Sequence, residues 1–138
     1  QYFDLFFEKK KVSRNKIINM QKKKTGELFG FCCESVAIIK GFNHKKRNYL
    51  KKIGLNIGLL FQIADDLIDF KGDSKIAGKP TRRDKAKGKA TLINLLGYVN
   101  TIKFANNLKN KIVKDLKTYG RKADSLLQSV EYILKRKL

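Results

Sequence analysis

Apolar residues recur three and four positions apart along most of the chain, which is the repeat of an α-helix with one buried side. No segment alternates apolar and polar residues for long enough to predict a strand, and Pro80 is the single proline among 138 residues. Because proline interrupts helices, its rarity leaves long helices unbroken. A chain of this length is the size of one ordinary domain and can bury a substantial core. The sequence therefore predicts a single all-α domain.

Residues 46–70 are predicted to form a helix that ends at Gly72 and has two different sides. At about 100° per residue, one side is apolar and consists of Tyr49, Ile53, Ile57, Leu60, Ala64 and Leu67. The opposite side is small at its start and acidic at its end, and it consists of Gly54, Gly58, Gln62, Asp65 and Asp69. Asp65 and Asp69 lie one turn apart, with Cβ atoms about 6 Å from each other, so their like charges repel unless a cation is near.

The cation near these carboxylates is either a lysine or a metal ion. The preceding turn on that side carries Phe61 and Gln62 and no lysine. Magnesium prefers oxygen ligands, takes one or two protein carboxylates and completes its shell with water and substrate phosphates. The pattern Asp65-Asp66-x-x-Asp69 supplies such ligands, with Asp66 assisting from about 100° around the helix. An acidic helix end paired with lysine is the alternative interpretation.

Segment 72–97 is rich in glycine and charge and is predicted to be largely loop. It brings basic residues to the acidic end of the helix, namely Lys79, Arg82, Arg83, Lys85, Lys87 and Lys89. Aspartates beside a basic loop indicate a site for magnesium and a polyphosphate. A solvated surface loop is the alternative.

Segment 13–41 predicts another long helix, with Ser13 as its N-cap and Gly41 as its end. Its apolar stripe consists of Ile17, Met20, Leu28, Phe31 and Ile38. Lys24 falls in register with this stripe, and Thr25 follows it. Either the lysine reaches out to solvent, or its ammonium group lies in a cavity between helices and meets an anion there.

Three further helices are predicted in segments 90–97, 98–120 and 123–138, and they read as structural. The adjacent Cys32 and Cys33 have neither a C-x-x-C spacing nor a nearby histidine, which argues against a disulfide scaffold and against zinc. We expect both in the core of a protein from a reducing compartment.

The chain has 32 lysines and arginines against 12 aspartates and glutamates, a formal net charge of +20. This excess suggests a nucleic-acid or anionic-membrane partner. However, it is mostly lysine, is spread along the chain, and lacks an RNA-binding or zinc-finger signature. Lysine-rich helix faces in water are the favoured explanation, and the excess of positive charge would also favour polyanionic small molecules. The longest apolar run, 53–64, is too short and too polar to predict a membrane span.

The ordered motifs resemble those of trans-isoprenyl diphosphate synthases of the bacterial farnesyl and geranylgeranyl diphosphate synthase type. The segment "GLLFQIADDLIDFKGD" resembles the second aspartate-rich region of that family, and "GKP", Asp84 and "GKAT" follow it in the family's order. Upstream, Lys24-Thr25-Gly26 matches the lysine-threonine site, and "QYFDL" matches a Gln-x-x-Asp-Leu helix. The resemblance covers essentially the whole chain. It implies the C-terminal portion, residues 1–138, of one polyprenyl synthase domain, folded as an all-helical bundle around a central cavity.

The resemblance also implies roles for particular residues. Asp65 and Asp69 correspond to magnesium ligands, and Asp66 assists them. Lys24, Thr25 and Lys79 correspond to donors to the allylic diphosphate. Gln62 corresponds to a polar wall of the diphosphate site, Lys89 to a weaker phosphate contact and Phe61 to a contact of the isoprenoid. The catalytic set on this basis is Lys24, Thr25, Asp65 and Lys79.

The implied reaction is the Mg²⁺-dependent condensation of isopentenyl diphosphate with an allylic diphosphate. The resemblance implies a cytoplasmic homodimer that binds no nucleic acid. The family's first aspartate-rich motif does not occur in these residues, so we expect a portion of a longer synthase that does not turn over alone. A non-catalytic synthase subunit and a basic nucleic-acid-binding helical protein are the alternatives. Product chain length is not predicted, because the residues that set it in the family lie near the first motif.

Overall fold

The computed structural model of the chain describes residues 2–71 and 88–136. Within these ranges the chain is helical apart from short connections and contains no strand, as the apolar repeat predicts. The α-helices are α1 (Tyr2–Phe6), α2 (Arg14–Gln21), α3 (Glu27–Ile39), α4 (His44–Lys71), α5 (Leu92–Leu96), α6 (Tyr98–Lys117) and α7 (Asp124–Lys135). A π-helical turn, Lys22–Gly26, joins α2 to α3, and a 3-10 turn, Gly120–Ala123, precedes α7.

Helix α4 is the axis around which the other helices pack. Its 28 residues make it about 42 Å long. The predicted aliphatic side is buried at Ile53, Ile57, Leu60, Ala64 and Leu67, where it contacts a core completed by Leu92, Ile112, Leu116 and Val130. Tyr49, which we placed on the same side, lies near the start of the helix and is 40% exposed. The pattern is therefore confirmed for the part of α4 that leads to the aspartates.

The other side of α4 contacts α3 through glycines. A Cβ atom added to Gly58 would lie 2.6 Å from the Cα of Gly26, and one added to Gly54 would overlap the backbone of Phe29. The two helix backbones therefore touch at these positions. Any side chain larger than hydrogen would push the helices apart.

The predicted helix over 13–41 is confirmed at both ends. Ser13 is at the N-cap with extended backbone angles, although its side chain makes no capping hydrogen bond. Gly41 has a φ of +65°, and the amide of Phe42 donates to the carbonyl oxygen of Ala37 over 2.9 Å. This left-handed turn terminates α3 in the manner that glycine permits.

Within that segment the predicted apolar stripe is wrong after the π-helical turn. Ile17 and Met20 in α2 are buried, whereas Leu28, Phe31 and Ile38 in α3 are at least half exposed. A π-helical turn contains an extra residue compared with an α-helical turn, so it changes the side that α3 presents to its neighbours. The buried residues of α3 are small instead, namely Gly30 and Ala37, and Gly30 faces Leu55 of α4.

The prediction that both cysteines lie in the core is also wrong. Cys32 is exposed and Cys33 is only half-buried. Both lie in α3 after the π-helical turn, so the same change of register accounts for their position.

The helices that follow residue 88 agree with the sequence pattern. Thr91 caps α5 by accepting a hydrogen bond from the Asn94 amide at 3.2 Å. In α6 the in-register residues Ala105, Ile112 and Leu116 are buried. The predicted loop over 72–87 lies outside the described residues. No helix in the described ranges is long and apolar enough to cross a membrane.

Candidate functional site

The lysine-threonine segment lies against the acidic end of α4. The Thr25 hydroxyl donates to Oε1 of Gln62 at 3.0 Å, and Nε2 of Gln62 donates to Oδ1 of Asp66 at 2.9 Å. The π-helical turn that carries Thr25 is thus joined to the aspartate-rich end of α4 through Gln62. Two sequence motifs that are about 40 residues apart meet in one site.

A second glutamine approaches Asp66 from α2. Nε2 of Gln21 donates to Oδ2 of Asp66 over 2.7 Å, and both side chains are buried. The two oxygens of Asp66 therefore accept from two glutamines on different elements. Gln21 was not predicted as a site residue from the sequence. Its position could have indicated it, because a polar residue four places after the buried Ile17 falls on the buried side of α2.

Asp65 and Asp69 are one helical turn apart at the same end of α4. Asp69 is only 6% exposed and Asp65 is half-buried. In the part of the chain that the structure describes, no group of three or more His, Cys, Asp or Glu side chains is arranged to hold a metal ion. Two carboxylates are nevertheless enough for magnesium when phosphate and water oxygens complete its shell. The donor set therefore fits a magnesium ion that binds together with a phosphorylated ligand.

Lys24 forms an ion pair with a residue of α1. Its Nζ lies 2.7 Å from Oδ2 of Asp4, and Nζ of Lys89 lies 4.0 Å from the same oxygen. The Lys24 side chain is 28% exposed, so its ammonium group meets an anion, as one of the two interpretations has it, but is not enclosed. Asp4 therefore pairs with Lys24 of the π-helical turn and lies close to Lys89, near the start of the described range 88–136. The sequence had placed Asp4 in the "QYFDL" motif without assigning it a role.

Phe61 lies on the apolar side of the site, next to Gln62. Its ring centre is 5.8 Å from that of Phe29, and the guanidinium carbon of Arg136 lies 4.6 Å above its ring. The three side chains line a cavity of about 730 Å³ between α3, α4 and α7. A cavity of this size accommodates an apolar ligand of small-molecule dimensions.

The structure brings together most of the residues predicted for the site. Gln62, Asp66 and Thr25 are hydrogen-bonded in series, Lys24 and Lys89 share Asp4, and Phe61 borders the cavity. Lys79 lies outside the described residues. The functional roles of all these residues remain predictions.

Comparison with protein families identifies the chain. The model of the polyprenyl synthetase family matches residues 1–131. The chain belongs to the polyprenyl synthetase family. The resemblance seen in the motifs is therefore confirmed over nearly the whole sequence.

Individual polyprenyl synthetases are similar along the whole chain. It is 33% identical to the farnesyl diphosphate synthase of Micrococcus luteus over 136 residues, covering 99% of this chain and 47% of that protein. It is 31% identical to the geranylgeranyl diphosphate synthase of Sulfolobus acidocaldarius, covering 100% of this chain and 41% of that protein. The chain thus spans less than half the length of these relatives.

Solved structures of polyprenyl synthetases share the helical fold. A geranyltransferase from Helicobacter pylori, complexed with magnesium and isoprenyl diphosphate, superposes with a TM-score of 0.79 at 26% identity, covering 98% of this chain and 44% of that one. An FPP/GFPP synthase from Zymomonas mobilis gives a TM-score of 0.77 at 36% identity, with 96% and 42% of the two chains covered. The predicted all-α, isoprenoid-synthase-like bundle is confirmed.

Proposed function

We propose that this chain supplies the second aspartate-rich side of a Mg²⁺-dependent trans-prenyltransferase site. The substrates are isopentenyl diphosphate and an allylic diphosphate. The observation that carries the proposal is the series of hydrogen bonds from Thr25 through Gln62 to Asp66, because it joins the lysine-threonine segment to the aspartate-rich end of α4. The relatives named as farnesyl and geranylgeranyl diphosphate synthases support the choice of reaction.

The residues of this chain bind and orient the allylic diphosphate. Lys24 donates to its oxygens, Thr25 does so once its hydroxyl turns from Gln62, and Lys89 adds positive charge. The family resemblance implies a similar role for Lys79. Asp65 and Asp69 would hold magnesium, with Asp66 assisting, and the bound metal would neutralise charge that develops on the departing diphosphate. Lys24 needs little reorganisation, because its ion pair with Asp4 already fixes the ammonium group beside the π-helical turn.

The chemical step exchanges one bond for another. The C–O bond between the allylic carbon and its diphosphate breaks, and the double bond of isopentenyl diphosphate forms a new C–C bond to that carbon. The new bond leaves a positive charge on the isopentenyl unit, and loss of a proton from an adjacent carbon restores a double bond. Donors placed around the diphosphate lower the barrier, since negative charge grows there as the C–O bond breaks. Phe61 and its cavity keep an apolar surface beside the carbocation.

The first prediction concerns the two aspartates. In the native protein we expect Asp65→Asn or Asp69→Asn to lower Mg²⁺-dependent formation of prenyl diphosphate by at least roughly 100-fold, because each substitution removes a charged oxygen ligand. Radiolabelled isopentenyl diphosphate with geranyl diphosphate measures product formation. Calorimetry with inorganic pyrophosphate and Mg²⁺ measures binding separately.

Asp124→Asn is the matched control, because it makes the same change of charge at the exposed start of α7. We expect it to retain activity. DNA binding by the wild type and Asp65→Asn discriminates the nucleic-acid alternative, since loss of an acidic charge would leave DNA binding unchanged or strengthen it slightly. Unaltered turnover in both Asp65→Asn and Asp69→Asn would contradict the proposed function. Magnesium-dependent binding without turnover in the native protein would instead indicate a non-catalytic subunit.

A further inference from the structure

Gln21 is a buried polar residue between two parts of the proposed site. It is the last residue of α2, three positions before Lys24, and only 2% of it is exposed. Its Nε2 donates to Oδ2 of Asp66 at 2.7 Å. Asp66 directly follows Asp65 and precedes Asp69 by three positions. This hydrogen bond, in addition to the one between Thr25 and Gln62, connects the segment that carries the lysine-threonine pair to the helix that carries the aspartates.

Asp66 is held in a fixed orientation by this contact together with a second one. Gln21 donates to one carboxylate oxygen from α2, and Gln62 donates to the other from within α4. Donors on both oxygens define the plane of the carboxylate. With one donor alone, the carboxylate group could rotate about its bond to Cβ. Hydrogen bonds to a charged group are also stronger than neutral ones. The pair of glutamines thus fixes both the orientation of Asp66 and the distance between α2 and the end of α4.

The other polar atom of the Gln21 side chain has no such partner. Oε1 of Gln21 is buried, and no hydrogen-bond donor among the described residues reaches it. The reverse assignment of the amide would place this oxygen against the Asp66 carboxylate, so the donor assignment follows from charge. A buried acceptor without a partner destabilises the fold, whereas an apolar side chain of similar volume would avoid that penalty. Packing alone therefore does not account for a glutamine at this position.

We propose that Gln21 is a positioning residue for the magnesium and diphosphate site, acting through Asp66. It fixes the distance between the π-helical turn with Lys24 and Thr25 and the end of α4 with Asp65 and Asp69. Both sets of groups then bind one diphosphate without first adjusting to each other, and such preorganisation favours binding. This inference rests on the proposed function and deepens it.

The test replaces Gln21 by methionine in the native protein. Methionine is close to glutamine in volume and lacks both the donor and the buried acceptor. We expect Gln21→Met to weaken Mg²⁺-dependent binding of inorganic pyrophosphate by about 10- to 100-fold, the range typical of residues that orient a metal site from outside. The midpoint of thermal unfolding should change little, because removal of the unsatisfied oxygen offsets the loss of the hydrogen bond to Asp66. Calorimetry and thermal melting measure the two effects independently.

Two further variants separate positioning from a general effect on the fold. Gln21→Glu keeps the shape but removes the donor and adds a like charge beside Asp66, so we expect at least as large a loss of binding. Asn106→Leu likewise replaces an amide by an apolar side chain of similar volume, on the exposed surface of α6, and we expect no effect. In an Asp66→Asn background, Gln21→Met should cause less than about a threefold further loss, because residues that act together are not additive.

Asp65→Asn, measured in the same experiment, separates the two proposals. Normal binding by Gln21→Met, with binding lost in Asp65→Asn, would overturn the role of Gln21 and leave the proposed function in place. Normal binding by Asp65→Asn would overturn the proposed site and this inference with it. If neither Gln21 variant folds, the glutamine is needed for folding, and the positioning role is likewise overturned.

Discussion

Cys32 and Cys33 are neighbours in sequence that lie in different surroundings. Both border the apolar cavity, but the side chain of Cys32 is exposed, whereas that of Cys33 is half-buried. Burial raises the pKa of the Cys33 thiol, and the nearby Cys32 raises it further. A thiol reacts as its thiolate, so a raised pKa leaves less of the reactive form at any given pH.

We therefore expect the two thiols to react at different rates with a disulfide reagent. At pH 8 the thiol of Cys33, measured in Cys32→Ser, should react roughly 10-fold more slowly than that of Cys32, measured in Cys33→Ser. Both rates should rise with pH, and the curve for Cys33 should be displaced to higher pH. Absorbance of the released thiol follows the reaction. Coincident pH profiles would show that the burial of Cys33 has no chemical effect.

The polar residues of the site differ in how far the sequence predicted them. Gln62 and Asp66 were recognisable from the motif, and their helical spacing predicted that they share the acidic end of α4. The ion pair between Lys24 and Asp4 was not predictable, because it depends on where α1 lies relative to the π-helical turn. No local pattern in the sequence encodes such a contact between distant segments.

At the scale of elements, the contact between α3 and α4 depends on the absence of side chains. Gly58 lies against the Cα of Gly26, which belongs to the π-helical turn, so the site segment and α4 meet backbone to backbone. Gly30 lies on the same contact but faces side chains instead. A Cβ atom added to it would lie 3.2 Å from Cγ of Leu55, which belongs to a flexible side chain. The two glycines therefore differ in how much room their neighbours can give.

Alanine substitutions should reveal this difference. We expect Gly58→Ala to destabilise the protein by about 1–3 kcal/mol, because a backbone atom cannot move aside as a side chain does. Gly30→Ala should be neutral or stabilising by up to about 1 kcal/mol, since Leu55 can shift and alanine favours the helix. Urea unfolding measures both free energies. Equal effects at the two positions would mean that the helices separate easily.

The sequence predicted those elements whose packing follows a regular repeat. Helix α4 and helix α6 bury the residues that a period of 3.6 places inward, and Gly41 ends α3 as predicted. The π-helical turn was not predicted, because its extra residue leaves no distinct composition in "KKKTG". All errors in α3 follow from that turn, including the exposed Leu28 and Phe31 and the cysteines.

For the molecule as a whole, α3 leaves an apolar line uncovered in the described structure. Leu28 is 69% exposed, Phe31 is 64% exposed and Ile39 is 82% exposed, and all three lie on the same side of α3. Isolated apolar residues on a surface are ordinary, but a continuous line of them favours contact with another protein surface. The homodimer implied by the family resemblance remains a prediction, and this line is the surface we assign to it.

Light scattering on the native protein tests that assignment. We expect the wild type to have the mass of two chains, and Leu28→Lys with Ile39→Lys to reduce it to the mass of one, because two charges would be buried at the interface. Val99→Lys, on the exposed surface of α6, is the matched control and should leave the mass unchanged. A wild-type mass of one chain would contradict the homodimer.

The π-helical turn also determines what a one-codon deletion in the gene would do to the fold. Because a π-helical turn holds one residue more than an α-helical turn, loss of one codon from Lys22–Gly26 would let α2 and α3 run together as an ordinary α-helix. Helix α3 would keep the side that it presents now, with Leu28 and Phe31 exposed, whereas the turn that holds Thr25 against Gln62 would be lost. A single deletion would thus exchange a ligand-binding corner for a conventional bundle helix.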